Sequence, residues 1–552
     1  MGIYKKSPAA AGDFSLYKTN FRYDLPKSQI YGKISLKKFE RKKSMEFNIF
    51  TLVAFILYFI VMLAIGVISY KRSKNMSDYF LGGRQLGTWS TAISAQASDM
   101  SGWLLLGLPG SILVSGLTES WIAIGLFIGT YLNWKIIAAR LRKMSAAAGD
   151  SITIPEYFQN RFSSKSPVVR FVCAAIIFVF FLVYTASAFS SGAKLFEFVF
   201  GLDYTISLTI GAVLIIAYTF LGGFLAVCWT DVIQGILMFI ALIVVPIVCI
   251  CVTPDFMGVV NESISSGELA ANYLSFFENK DGGFAWQTIV SGLAWGLGYF
   301  GMPHILVRFM AIKSADLIKK SRLIACIWVF VTLGAAVFVG VVGHAYLNAP
   351  GNEAILEQFN AIGDAERIFM FMSATLLPAV LAGIILCAIL AAIMSTADSQ
   401  LLVTASAVTA DVFALIKKDA SEKTQMWISR GTVIVVAIIA YILALDPNSS
   451  VMGLVSYAWA GLGAAFGPAI LLSLFWKRMN ITGAVAGMIT GGVAVIVWEQ
   501  FCGATGVYSL LPAFALALVA VVVGSLVSGK QPEGVDELFE KAKASKVLEE
   551  QA

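Results

Sequence analysis

Histidine and charge are scarce in this chain. His304 and His344 are the two histidines in 552 residues, and they do not fall at metal-ligand spacing. With no G-x-S-x-G elbow either, a hydrolase working inside the membrane has no nucleophile and base to use. The seven cysteines (Cys173, Cys228, Cys249, Cys251, Cys326, Cys387 and Cys502) are odd in number and scattered through apolar runs. That pattern is neither a disulfide framework nor a metal site, and it reads as small apolar side chains. Charged residues make up 13% of the chain, against about 25% in soluble domains. Hydrophobic residues make up 58%, against about 45–50%. An ordinary soluble domain is excluded, and nothing in the composition points to nucleic acid.

Apolar runs long enough to cross a bilayer, about 20 residues each, recur along almost the whole sequence. Thirteen are expected, centred near residues 58, 102, 129, 181, 214, 241, 296, 335, 383, 435, 463, 490 and 518. The fold class is therefore an all-α polytopic membrane protein. Charge orients it. The connection after the first run carries Lys71, Arg72, Lys74 and Arg84, and every second connection afterwards is also basic, except the very short one near Asp231. Arg140, Arg142 and Lys143 form one such group; Lys313, Lys319 and Lys320 form another, followed by Lys417, Lys418 and Lys423, then Lys477 and Arg478. The alternate connections hold only Lys194, Lys280 and Arg367. By the positive-inside rule the basic set is cytoplasmic, so the first span starts outside and the C-terminus lies inside.

Residues 1–44 break this pattern. They hold eleven Lys/Arg against three Asp/Glu, a net +8 against +6 for the whole chain. Such a segment resists outward translocation, and it has no apolar core of signal-peptide length. Met45 directly precedes the first run, so 1–44 is expected to be a basic extension, either disordered or upstream of the true start; a membrane-surface tether is the alternative. Residues 45–528 form the transmembrane domain, and 529–552 a charged cytoplasmic tail that reads as a solvated helix.

Two runs are interrupted. S-D-M-S-G, Ser98 to Gly102, lies inside the apolar stretch from Thr88 to Leu113. A carboxylate at membrane depth costs at least about 2.5 kcal/mol, so Asp99 is expected to serve a partner or a pathway. Ser291 to Ile305 carries Gly292, Gly296, Gly298, Gly301 and Pro303, a density that unwinds or kinks a spanning helix. These are the second and seventh runs, and a five-run offset between broken helices predicts an inverted repeat, runs two to six against seven to eleven. Glycines that simply allow close helix packing are the alternative. Trp295, Tyr299 and Pro303 fall at i, i+4 and i+8, one face of a helix that could wall a small solute. In A-A-I-M-S-T-A-D-S-Q-L-L, Ala391 to Leu402, the residues Ala392, Ser395, Thr396 and Ser399 share a small, hydroxylated face. Such a face suits a hard cation that wants oxygen ligands, and it equally suits plain helix packing. Asp231 reads either as an N-cap of the sixth helix or as a functional carboxylate.

Five blocks, S-A-Q-A-S-D-M-S-G-W, L-G-G-F-L-A-V-C-W-T-D, W-G-L-G-Y-F-G-M-P-H-I, A-A-I-M-S-T and V-S-Y-A-W-A-G-L-G-A-A-F-G-P, occur in this order. Together they resemble the sodium/solute symporter family, from about Phe47 to the end of the thirteenth run. The resemblance implies a leucine-transporter-type fold of two inverted five-helix repeats, helices two to eleven. It implies uptake of L-proline coupled to Na+ across the bacterial inner membrane, with no organic cofactor and no obligate protein partner. Carried over by motif, the sodium ligands are carbonyls of Ala97, Met100 and Ala392 and hydroxyls of Ser395 and Thr396. Asp99, Arg84 and Asp231 are the residues linked to the ion and to coupling. Ser101, Gly102, Tyr184, Trp295, Tyr299, Pro303 and Ser399 are the substrate set, although Ser399 stands where a close relative has cysteine. Asp398 is a departure from the pattern and has two readings, a further ion contact or a cytoplasmic hydrogen bond.

Members of such a family also carry pantothenate, acetate and other osmolytes. A channel is a different reading, but it expects a repeated polar pore lining rather than two internal helix breaks. A transporter-like sensor expects a long soluble signalling domain, where this sequence has a short charged tail after residue 528.

Overall fold

The computed structural model describes residues 49–70, 76–221, 223–417, 419–529, 531 and 533–544. The basic segment 1–44 and the cluster Lys71, Arg72 and Lys74 lie outside them. Among the described residues the chain is helical throughout, with two isolated β-bridges and no strand.

Every expected apolar run is a helix. Ten are long and apolar enough to cross a membrane: Ile49–Ile68, Leu117–Ala147, Val168–Phe200, Phe224–Val252, Ala315–Asn348, Ala379–Ile416, Glu422–Leu443, Val451–Phe475, Ile481–Phe501 and Leu510–Val527. Two more spans are bent pairs, Thr88–Asp99 with Trp103–Ser115 at 62° and Trp286–Gly301 with Pro303–Ala311 at 47°. The remaining run, Tyr204–Phe220, is apolar but shorter. The expected thirteen therefore stands at twelve by length, and this helix is the difference. The second and seventh runs are broken, as their carboxylate, glycines and proline require.

Helix ends follow local chemistry. Thr153, Ser450 and Asn480 each accept a bond from a backbone N–H in the first turn of the helix they precede, satisfying donors the helix cannot pair itself. Pro303 occupies the first turn of Pro303–Ala311, where its missing N–H costs nothing.

Burial sorts the helices. Val451–Phe475 and Ala379–Ile416 are 83% and 78% interior over their most apolar windows, against 28% for Ile49–Ile68. Outer helices show large apolar side chains such as Leu57, Ile60, Ile240 and Val519 to their surroundings. In water such a surface would aggregate; against lipid it needs no cover. The interior helices are the ones that meet the two breaks.

The tail departs from the expected solvated helix. Val535–Ala544 buries Val535, Phe539 and Ala542. Arg161 sits over the Phe539 ring at 5.0 Å, and Lys477 pairs with Asp536 at 2.7 Å. The period of its apolar residues gives it one sticky face, and that face is docked.

Candidate functional site

The first break is built around Asp99. Met100 makes the last helical bond, its N–H donating to the Gln96 carbonyl at 2.9 Å, and then turns out of the helix with ψ 81°. The freed carbonyl of Asp99 accepts from the Ser101 N–H at 3.0 Å, the Trp103 Nε1–H at 3.1 Å and the Tyr184 hydroxyl at 3.4 Å. One carboxylate oxygen of Asp99 accepts from the Tyr299 hydroxyl at 2.5 Å; the other is buried without a hydrogen-bond partner. A carboxylate with one donor and no basic neighbour is costly at this depth, so the spare oxygen is open to a cation or a substrate donor. Gly102 is required by a close approach, because a Cβ there would strike the Ser191 side chain.

The second break gathers aromatic rings. Trp295–Gly301 is a tight 3₁₀ stretch, and Met302 is extended before Pro303 restarts the helix. A 3₁₀ turn advances about 120° per residue, so Trp295, Tyr299 and Pro303 do not share the face that α-helical spacing predicts. The Trp295 ring stacks between Tyr508 at 5.1 Å and Trp459 at 6.3 Å, and its carbonyl accepts from the Trp459 Nε1–H at 2.9 Å. Trp103 flanks it at 6.2 Å, and Tyr299 meets Trp459 edge-on. The glycines serve both expected roles. They permit the tight turn, and they also let helices touch: a Cβ on Gly301 would come within 2.7 Å of the Gly467 nitrogen and the Leu462 carbonyl oxygen.

Between the breaks lies the hydroxyl face of Ala379–Ile416. Ser395 Oγ donates to the carbonyl of Ala97 at 2.7 Å and is 3.2 Å from that of Ala392. The structure thus brings Ala97, Ala392 and Ser395 together beside the buried Met100. Thr396 Oγ1 differs from the other hydroxyls of this face. Ser399 and Thr404 bond back to the carbonyls of Ser395 and Gln400 at 2.8 Å, as helical hydroxyls commonly do. Thr396 Oγ1 is fully buried with no partner. A buried hydroxyl left unpaired costs about 1–3 kcal/mol. It follows Ser395, whose own hydroxyl contacts the Ala97 and Ala392 carbonyls, and an unpaired hydroxyl in such a group fits a hard cation.

Arg308 joins a second cluster and went unmarked in the sequence. Its guanidinium donates to Asp231 at 3.1 Å, Ser94 at 3.1 Å, Ser399 at 2.6 Å and the carbonyl of His304 at 2.6 Å, all buried. Asp231 lies two turns inside the helix that begins at Phe224, which corrects the N-cap alternative. Both oxygens of Asp398 are buried and make no hydrogen bond of ordinary geometry.

Arg84 is not part of either cluster. At a positive φ of 55° after Gly82 and Gly83, it ties the loop before the first broken helix to the end of the second. It donates to the carbonyls of Met310 at 2.6 Å and Ser151 at 2.9 Å, and pairs with Asp150 at 2.8 Å. Burial lowers its pKa to about 10, with Asp150 opposing the shift. The bridge between Leu86 and Ile312 holds the same two helix ends together.

Two broken helices meeting a hydroxylated helix inside a bundle of apolar spans define a membrane carrier. A profile of the sodium:solute symporter family matches residues 79–491, and the chain belongs to that family. It is 46% identical over 496 residues to the sodium/proline symporter of Salmonella typhimurium, covering 89% of this chain and 96% of that protein. It is 44% identical over 490 residues to the osmoregulated proline transporter of Bacillus subtilis, covering 88% and 96%. A Na+-coupled sialic acid symporter, solved substrate-bound and outward-open, shares the fold with a TM-score of 0.73 at 19% identity, over 88% of this chain and 99% of its own.

Proposed function

We propose that this protein takes up L-proline together with Na+ across the bacterial inner membrane by alternating access. The relatives named as proline carriers support the substrate. The observation that carries the sodium reading is the unpaired Thr396 hydroxyl, set beside Ser395 where Ser395 contacts the Ala97 and Ala392 carbonyls.

The sodium ion would take the carbonyls of Ala97, Met100 and Ala392 with the hydroxyls of Ser395 and Thr396. These five oxygens come from the end of a half-helix and from a continuous helix, so an ion between them favours whichever state holds the two together. It shifts the equilibrium only by its differential affinity for that state. Asp99 and Asp231 are linked to the ion by charge, and Arg84 by bracing the ends of both broken helices. Proline is a small, rigid zwitterion. Trp295, Tyr299 and Tyr184 offer rings and hydroxyls beside Ser101 and Gly102, while Pro303 shapes the break and Ser399 completes the set from the hydroxylated helix. Runs two to six and seven to eleven form the inverted repeat, residues 45–528 the transport domain, and the basic connections face the cytoplasm.

Equilibrium binding of radiolabelled proline to the purified protein tests this reading, with sodium replaced by choline in one arm. Tight binding in sodium and weak binding in choline is expected, with unlabelled pantothenate and acetate failing to compete. Equal binding in both salts, or displacement by either competitor, contradicts it.

A further inference from the structure

Arg308 is fully buried in the half-helix Pro303–Ala311, and its partners lie on four segments. Nη1 donates to the His304 carbonyl of its own helix. Nε donates to Ser94 of the first broken helix at 3.1 Å. Nη2 donates to Asp231 of Phe224–Val252 at 3.1 Å and to Ser399 of Ala379–Ile416 at 2.6 Å. The hydrogen-bond directions are mutually consistent. Ser94 accepts from Arg308 and donates to the same Asp231 oxygen at 2.6 Å. Ser399 accepts from Arg308 and donates to the Ser395 carbonyl at 2.8 Å.

The two hydroxyls that Arg308 grips flank the candidate ion ligands. Ser94 is three residues from Ala97, under one helical turn. Ser399 is three and four residues from Thr396 and Ser395, on the same face of its helix. The guanidinium therefore spans the two elements whose carbonyls and hydroxyls would share the ion.

We propose that Arg308 is a positioning residue for ion coupling. By holding Ser94 and Ser399 in one planar fork, it sets the register between the first broken helix and the hydroxyl face, and with it the sodium affinity. Asp231 keeps the guanidinium charged and aimed. This inference rests on the sodium-site reading above. A buried ion pair can serve folding alone, and the two roles differ in what lysine does. Lysine keeps the charge opposite Asp231 but lacks the fork that reaches both serines at once.

The test measures proline uptake by membrane vesicles against sodium concentration, at matched protein abundance, for R308K, S399A and T396A. Proline KM at saturating sodium is measured in parallel. The expected result is a sodium half-saturation raised at least about fivefold in R308K and raised in the same direction in S399A. In R308K, proline KM at saturating sodium should stay within about twofold. If R308K does not reach the membrane, S399A decides, since it removes one hydroxyl and leaves the Asp231 pair intact. Unchanged sodium half-saturation in R308K and S399A, with T396A shifted, overturns the role of Arg308 and leaves the ion site standing. Unchanged values in all three variants overturn the ion-site reading itself.

Discussion

Tyr299 reaches from the second broken helix to the first and donates a 2.5 Å hydrogen bond to the carboxylate of Asp99. The other oxygen of that carboxylate is buried and unpaired. One hydroxyl therefore links the aromatic cluster around Trp295 to the break that adjoins the hydroxyl face, and it does so where both helices have lost their regular backbone bonds.

Removing that hydroxyl leaves Asp99 without its donor. A hydrogen bond to a charged group contributes about 1.5–3 kcal/mol, so Y299F should raise proline KM by about ten- to a hundredfold. Uptake kinetics in membrane vesicles at saturating sodium give the number. A KM equal to that of the parent protein would mean the contact does not serve substrate binding.

Thr396 tests the ion shell. T396A deletes one oxygen of a proposed five, in a position where the hydroxyl has no other partner, so the fold should tolerate it. The expected outcome is a sodium half-saturation raised by about tenfold, for roughly 1.4 kcal/mol of lost ion affinity, with thermal stability in detergent unchanged. S395A should shift it in the same direction and also lower stability, because Ser395 bonds the Ala97 carbonyl.

Much of this was legible before any coordinates. A carboxylate in an apolar run marked the first break, and glycines with a proline marked the second; both are local signals that tertiary packing does not overrule. The count of thirteen was less secure, because the fifth run, Tyr204–Phe220, is apolar but short, and hydropathy counts it while length does not. Trp103, Trp459 and Tyr508 were invisible, since an aromatic in an apolar helix looks the same whether it meets lipid or a neighbouring ring. Arg308 is different. It sits five residues after Pro303 within an apolar segment, and the rule that marked Asp99 as an intramembrane charge would have marked it too. The single-face reading of Trp295, Tyr299 and Pro303 failed because it assumed α-helical periodicity across the stretch whose glycines were expected to abolish it.

Gly298 and Gly334 offer a matched pair for packing. A Cβ on Gly298 would overlap the indole nitrogen of Trp459, while one on Gly334 meets nothing within 4 Å. Overpacking of this kind costs about 1–3 kcal/mol, so G298A should lower the detergent melting temperature and abolish most uptake. G334A should leave both as they are. Equal effects in the two variants would remove the close helix approach as the reason for glycine at 298.

Trp295 and Tyr299 are 4% and 1% exposed in this conformation. Single cysteines at these positions, in a background stripped of reactive native thiols, should react slowly with a membrane-permeant maleimide. Saturating proline should slow them further, and more so with sodium present. Labelling that ignores proline at both positions would place the substrate elsewhere.

The most direct test of the account is transport itself. Purified protein is reconstituted into liposomes loaded with potassium, and radiolabelled L-proline uptake is followed with an inward sodium gradient, with the gradient collapsed by a sodium ionophore, and with choline replacing sodium. The account predicts accumulation above equilibrium under the gradient alone, and simple equilibration or none in the other two arms. Proline accumulation that persists without a sodium gradient, or no proline accumulation with one, would contradict it.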